Sequence, residues 1–242
     1  MEISELAKNR EINAKNTGDY YYKNNTADSL DRRKWFAKIV ALYKPKSILE
    51  IGCNEGANLR CMREVIPEIK LAGIDINKNA VNFARSTMPN ANIVCGSIYD
   101  LDKYFKEKEF DLVFSMGVMI HLPPETINSV GDKAAKLAKN IVLHCEEHSE
   151  NPEVKRRDRD IPHRWSHNYI NIYNKYKVKI FKDVLDGSGG AHQLAVVYIG
   201  SNSMPKISIL GKIRLWYLCS WLPFVYKWLK IIKIRCNVTL KI

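Results

Sequence analysis

The sequence predicts an α/β fold: a doubly wound, mostly parallel seven-stranded sheet that finishes in an antiparallel hairpin. Three observations carry this expectation. Short apolar runs recur at Ser47–Gly52, Leu71–Ile76, Asn92–Cys95, Phe110–Ser115 and Ile141–His144. Helix-length segments, among them Asn58–Ile66 and Lys78–Met88, separate most of these runs. Continuous apolar runs alternating with helices are the pattern of parallel strands buried on both faces. Lastly, Lys177–Leu185 and Gln193–Gly200 both read as strands, yet only "DGSGGAH" lies between them. A parallel crossover needs about a dozen residues or more, so these two strands must run antiparallel.

The flanks divide the chain into three parts. Ahead of the core, Asp28–Lys44 reads as a helix, with Asp28 as N-cap and Leu30, Trp35, Ile39 and Leu42 as its apolar face. The preceding "NTGDYYYKNN" is polar and tyrosine-rich, which suits a lid or loop better than a core. Residues 1–46 are therefore an N-terminal lid segment and helix, 47–200 the core, and 201–242 a tail of different composition.

Composition sets the class. With 242 residues and 46% hydrophobic content the chain can bury one sizeable core. Its net charge is +12, but the stretch from Pro205 to Ile242 holds eight Lys or Arg and no acid, leaving +4 on the first 204 residues. The basic character belongs to the tail, and nucleic acid is not an expected partner of the core. The six cysteines lack CxxC spacing and read as reduced, buried thiols of a cytoplasmic protein. "MEISELAKNR" has no apolar signal core, which argues against secretion.

The tail, "ISILGKIRLWYLCSWLPFVYKWLKIIKIR", mixes aromatic and apolar residues with regularly placed Lys and Arg. Its longest uncharged run, Leu215–Tyr226, is too short to span a bilayer. Val225, Trp228, Leu229 and Ile232 recur at helical spacing with Lys227, Lys230 and Arg235 between them. Basic charge beside interfacial aromatics fits a helix lying on an anionic membrane surface. The expectation is a peripheral association with the inner membrane face through residues 205–242. The alternative is a helical extension packed on the core or on a partner.

The stretch "SILEIGCNEGANL" carries most of the functional reading. A strand that enters a helix through a glycine turn gathers unpaired backbone N–H groups at one point, and glycine permits close approach there. Gly52 and Gly56 bracket Cys53, Asn54 and Glu55, so the middle glycine of a GxGxxG dinucleotide turn is missing, and Glu55 would repel a diphosphate. A ligand with little negative charge fits better. In "LAGIDIN", Asp75 ends the second strand 25 residues after Glu50, where an acid can accept both hydroxyls of a ribose. Alternatively, Asp75 caps the helix that starts near Lys78.

With "ILEIGCNEG", "GIDIN", "IVCGSIYDL" and "FDLVFSMGVMIHL" in this order and spacing, the chain resembles the class I S-adenosylmethionine-dependent methyltransferases over roughly Ser47–Gly200. The terminal hairpin agrees with the Rossmann-like sheet of that family. More narrowly, "TGDYYYKNN", "SILEIGCNEGANLR", "LAGIDIN" and "GVMIHLPPE" resemble methylases associated with pseudaminic acid and related surface-glycan biosynthesis. The wider resemblance implies S-adenosyl-L-methionine as cofactor. Glu50, Gly52, Cys53, Asn54 and Gly56 would surround its amino-acid and ribose parts, and Asp75 would hold the ribose hydroxyls. Ile76 would pack on the adenine, with Gly96, Ser97 and Ile98 at its edge. Ser115, Met116 and Gly117 would line the floor near the sulfonium, and Tyr21, within Tyr20–Tyr22, would close over the cofactor. Many members carry an acid where Ser97 stands, so the adenine contact is weaker here.

Methyl transfer from a sulfonium is an in-line displacement that needs an aligned acceptor, and a base only when the nucleophile is poorly acidic. His121, just beyond the fourth strand, is a candidate general base or acceptor-orienting group. Its alternative role is a helix-start histidine bonded to backbone. After the fifth strand, "HCEEHSENPEVKRRDRDIPHRWSHN" has the mixed charge of an acceptor-binding lid. His148 is its catalytic candidate, and Arg164 and His167 its candidates for holding a small-molecule or glycan-type acceptor, a nonulosonic acid or a lipid-linked sugar methylated on oxygen, with arginine suited to a carboxylate or phosphate. No metal is expected, and the oligomeric state is left open. RNA or a small metabolite as acceptor, or a non-catalytic membrane-associated adaptor, are the competing readings.

Overall fold

The computed structural model describes residues 27–150, 165–181 and 192–200. Along the chain these form α1 (Ala27–Leu42), β1 (Ser47–Ile51), α2 (Ala57–Val65), β2 (Lys70–Asp75), α3 (Lys78–Thr87), β3 (Asn92–Cys95) and α4 (Leu101–Tyr104). They continue as β4 (Phe110–Met116), α5 (Pro124–Leu137), β5 (Ala138–Glu147), α6 (Tyr169–Ile172), β6 (Lys177–Phe181) and β7 (His192–Tyr198). The sheet has seven strands in the order β3-β2-β1-β4-β5-β7-β6. β1 to β5 pair in parallel, while β7 runs antiparallel to both β5 and β6. This is the predicted sheet.

Alternation along each strand sends side chains to two separate cores. Ile48, Leu112, Phe114, Ile141 and Leu143 join one, together with Trp35, Phe36 and Ile39 of α1 and Leu59 and Met62 of α2. Leu49, Ile51, Val113 and Val142 join the other, with Val130 and Ala134 of α5 and Tyr169 and Tyr173 of the α6 region. The rings of Phe36 and Phe114 lie 5.4 Å apart, so α1 is seated directly on the sheet. Helices on both faces make the sheet doubly wound.

Three boundaries differ from expectation. α1 spans Ala27–Leu42, which puts Asp28 within the helix instead of at its N-cap. β6 stops at Phe181 among the described residues. β5 is much longer than Ile141–His144 because β7 supplies a backbone partner as far as Glu147, opposite His192. Glu146 and Glu147, read in the sequence as the start of a lid, are therefore buried strand residues. Among the described residues no helix is long and apolar enough to cross a membrane.

Candidate functional site

In open α/β sheets ligands bind outside the carboxyl ends of the strands, where the strand order reverses. Here that point lies between β1 and β4. The turn Gly52–Gly56 follows β1, and the turn Gly117–His121 follows β4. Gly52, Asn54 and Gly56 all have positive φ, at 73°, 47° and 73°. A Cβ on Gly52 would lie 2.5 Å from a methyl of Val118, so glycine lets the two turns meet. The N–H groups of Gly52 and Cys53 both donate to the Ile74 carbonyl, at 2.8 and 3.0 Å, pinning the first turn to the end of β2.

Asp75 braces this corner. Its Oδ2 accepts from the Asn54 N–H at 2.8 Å and its Oδ1 from the Asn77 N–H at 2.9 Å. It does not cap α3: Asn77 does, accepting from the N–H groups of Asn79 and Ala80. The Cys53 side chain is buried beneath the turn, and burial pushes its thiol up. Gly96 donates to the Asp75 carbonyl at 3.0 Å. The Ser97 hydroxyl accepts from the Tyr99 N–H at 3.2 Å, capping the short turn that contains Ile98. Ile76, like Ser97 and Ile98, is half-buried at this edge.

Glu50 is the least settled group in the cradle. It is 1% exposed, and its Oε1 accepts from the Asn58 side-chain amide at 2.6 Å. Asn58 in turn accepts from the Arg33 guanidinium at 3.1 Å. Glu50 Oε2 has no partner among the described residues. Burial lifts this carboxyl from 4.5 to about 8, against the opposing pull of Asn58 and Arg33. A buried carboxyl oxygen without a partner marks a place where a ligand cation or N–H group would satisfy it and restore the carboxylate. Arg33 and Asn58 were not singled out in the sequence. The available signal was spacing, since Arg33 stands three, four and seven residues before the buried Phe36, Ala37 and Val40 on one face of α1.

A second polar cluster underlies the β4 turn. Ser115 is fully buried; its hydroxyl donates to Glu146 Oε1 at 2.7 Å and lies 2.8 Å from His144 Nδ1. With the serine proton committed to Glu146, His144 Nδ1–H must donate to Ser115, leaving Nε2 to accept from Tyr173 O–H at 2.6 Å. His144 is thus a neutral imidazole, and burial lowers its pKa to about 3. Glu146 Oε1 also accepts from the N–H groups of Val118 and Met119, at 2.9 and 3.2 Å. From the other side, His167 Nε2 donates to the Met119 carbonyl at 2.9 Å, and Trp165 N–H to the Ile120 carbonyl at 2.7 Å. The turn carrying His121 is therefore clamped through both its N–H groups and its carbonyls.

The expected site residues divide accordingly. Glu50, Gly52, Asn54, Gly56, Asp75 and Gly96 converge at one corner. Of the expected floor, Ser115 is committed below, while Met116 is half-buried and Gly117, with φ 67°, faces open space. His121 is half-buried at the end of the clamped turn. His148 is half-buried, with Nδ1 accepting from the Tyr169 N–H at 3.3 Å. His167 is buried and holds the β4 turn instead of lining an opening. Tyr21, Arg164 and residues 205–242 lie outside the described residues.

A sheet of this order, with a glycine turn after β1 and an acid closing β2, is the fold of the class I S-adenosylmethionine-dependent methyltransferases. Residues 48–140 match the model of a methyltransferase-domain family. Over 72 residues the chain is 36% identical to the ribosomal RNA small subunit methyltransferase C of Buchnera aphidicola, covering 29% of this chain and 22% of that protein. Over 115 residues it is 29% identical to the phosphoethanolamine N-methyltransferase of Plasmodium falciparum, covering 47% and 43%. The chain thus spans less than half the length of these relatives. Magnesium protoporphyrin IX methyltransferase from Synechocystis, solved with its bound cofactor, superposes with a TM-score of 0.53 at 11% identity, covering 71% of this chain and 80% of that one. At that identity the likeness is one of fold. Together these comparisons show the methyltransferase fold.

Proposed function

We propose that the protein is an S-adenosylmethionine-dependent methyltransferase directed to oxygen on a small or glycan-type acceptor. The observation that carries this reading is the pairing of a buried Glu50 oxygen, without a partner among the described residues, with a positive-φ glycine turn and the Asp75 carboxylate. These residues fit the cofactor. Glu50 Oε2 supplies an acceptor for its amino-acid end and Asp75 one for its ribose. When bound, the cofactor supplies an electrophilic methyl group.

The chain's own residues then orient the acceptor. Because His148 Nδ1 accepts a backbone N–H, its neutral form carries the proton on Nε2 and offers a donor. That suits holding an acceptor oxygen better than removing its proton. His121 is left as the candidate base, presented by a turn that Glu146 and His167 immobilise. Arg164 would hold an anionic group of the acceptor and Tyr21 would cover the cofactor. Nonulosonic acids and related sugars, which the narrower sequence resemblance suggests, meet these requirements. We also assign residues 1–46 to a lid and helix, 47–200 to the catalytic core and 201–242 to membrane-surface association.

The test is a transfer assay with methyl-labelled S-adenosylmethionine and fractionated extract of the source cells. Label in the small-molecule or glycan fraction supports the proposal. Label in RNA, or none in any fraction, overturns it.

A further inference from the structure

Away from the cofactor corner, the amino ends of the strands share one feature. An exposed lysine stands at or near the start of β1, β2, β4, β5 and β6: Lys46, Lys70, Lys108, Lys139 and Lys177. Hydrogen bonding makes these ends one continuous edge. Lys70 N–H donates to the Lys46 carbonyl at 2.9 Å, and Lys108 N–H to the Lys136 carbonyl at 2.9 Å. Lys177 lies opposite Tyr198, which itself lies opposite Ile141. Of the acids here, Asp111 accepts from the Lys46 and Ser47 N–H groups and pairs with Lys139 at 3.5 Å. Glu109 accepts from the Lys106 N–H. Other exposed acids near these strand starts are Glu64, which pairs with Lys34 at 3.5 Å, Glu68 and Glu107.

The described chain also leaves the sheet at this edge. β7 runs from the cofactor side at His192 to Tyr198, and the Ile199 N–H donates to the Asn140 carbonyl at 2.9 Å. The next segment of the sequence is the one with eight basic residues, no acid and three tryptophans.

We propose that this lysine-bearing edge docks on an anionic phospholipid surface, leaving the candidate active site on the opposite edge facing water. Charge complementarity and the exit of the chain toward a basic, tryptophan-rich segment at the same edge both argue for it. Single-stranded RNA is the poorer fit, because RNA-binding surfaces present aromatic rings for base stacking. The tyrosines at this edge are Tyr43, which is buried, and Tyr176 and Tyr198, which are half-buried against the core. Strands of this length hold the two edges about 17–20 Å apart. Given the methyltransferase reading, the acceptor then arrives from the aqueous side, which selects a water-soluble precursor over one embedded in the bilayer.

The experiment is vesicle flotation of the full chain on phosphatidylcholine with and without phosphatidylglycerol, using the triple variant K46Q/K70Q/K177Q. These three side chains lie far from the cofactor corner, so cofactor titration serves as an independent check of folding and of the methyltransferase reading. Each lysine near an anionic surface contributes about a fivefold affinity factor, so the triple variant should bind about a hundredfold more weakly. K78Q, at the cofactor edge, should bind vesicles like the wild type. Three outcomes would overturn the proposal: anionic vesicle binding unchanged in the triple variant, tighter binding to mixed-sequence RNA than to the vesicles, or loss of cofactor binding when vesicles are bound.

Discussion

Replacing Glu50 with Gln tests the cofactor cradle from two directions. The carboxyl is buried, satisfied at Oε1 by Asn58, without a partner at Oε2 among the described residues, and lifted from 4.5 to about 8, mainly by burial. In the unfolded chain the same group ionises near 4.5. Between these values folding must either take up a proton or bury a charge, so Glu50 disfavours the folded state increasingly as pH rises. The penalty is absent below about pH 4.5 and grows by about 1.4 kcal/mol per pH unit. It reaches about 3 kcal/mol at about pH 7 and levels off near about 5 kcal/mol above about pH 8. Gln keeps an acceptor for Asn58 and carries no charge, so the ligand-free E50Q protein should exceed the wild type by these amounts. Urea denaturation across this pH range reads the difference directly. Binding should move the other way. An amide NH2 donates where the carboxylate oxygen accepts, so cofactor affinity should fall at least about tenfold, or about 1.4 kcal/mol. Stability is then gained where function is lost. A stability difference that does not vary with pH would refute the buried-charge argument, and an unchanged affinity would remove Oε2 from the binding site.

Other perturbations probe the turns around it. D75A should weaken cofactor binding by at least about tenfold. It should also cost about 1–3 kcal/mol of stability, because the Asn54 and Asn77 N–H groups lose their acceptor. Calorimetric titration with an unchanged affinity would show that the ribose is placed elsewhere. G52A puts a methyl into Val118 at a φ of 73°, so thermal unfolding should show a loss of at least about 1–2 kcal/mol, part of it recovered in G52A/V118A. A G52A protein as stable as the wild type contradicts the close approach of the two turns. E146Q weakens three charge-assisted bonds to Ser115, Val118 and Met119, and should lower stability by about 1–2 kcal/mol. It should also lower kcat while leaving cofactor affinity intact, and an unaltered kcat would separate the clamp from catalysis.

The sheet was legible because its strands advertise themselves locally. Each parallel strand is a short apolar run, and the gap after Lys177–Leu185 is too short for anything but an antiparallel return. The corner we assign to the cofactor was legible as a corner for the same reason: Glu50, Gly52, Gly56 and Asp75 are fixed by strand ends and one turn, all close in sequence. The features that escaped depend on pairing over long distances. Glu146 looks like a charged loop residue until β7 extends β5 past it and Ser115, 31 positions earlier, meets its carboxylate. His167 looks like a solvent-facing ligand until its ring reaches the Met119 carbonyl, 48 positions away. Arg33 is hidden among the charges of α1, and only its register with Phe36 and Val40 shows that it turns inward. A lysine at the head of one strand is ordinary in sequence; five become a surface only when the strand order sets them side by side.

The central claim is that the corner built by Glu50, Gly52, Gly56 and Asp75 binds S-adenosylmethionine. Isothermal titration of the full chain with that compound tests it most directly. The account predicts saturable binding at one site per chain, with the demethylated product S-adenosylhomocysteine competing for it. Absence of saturable binding to either compound would contradict it.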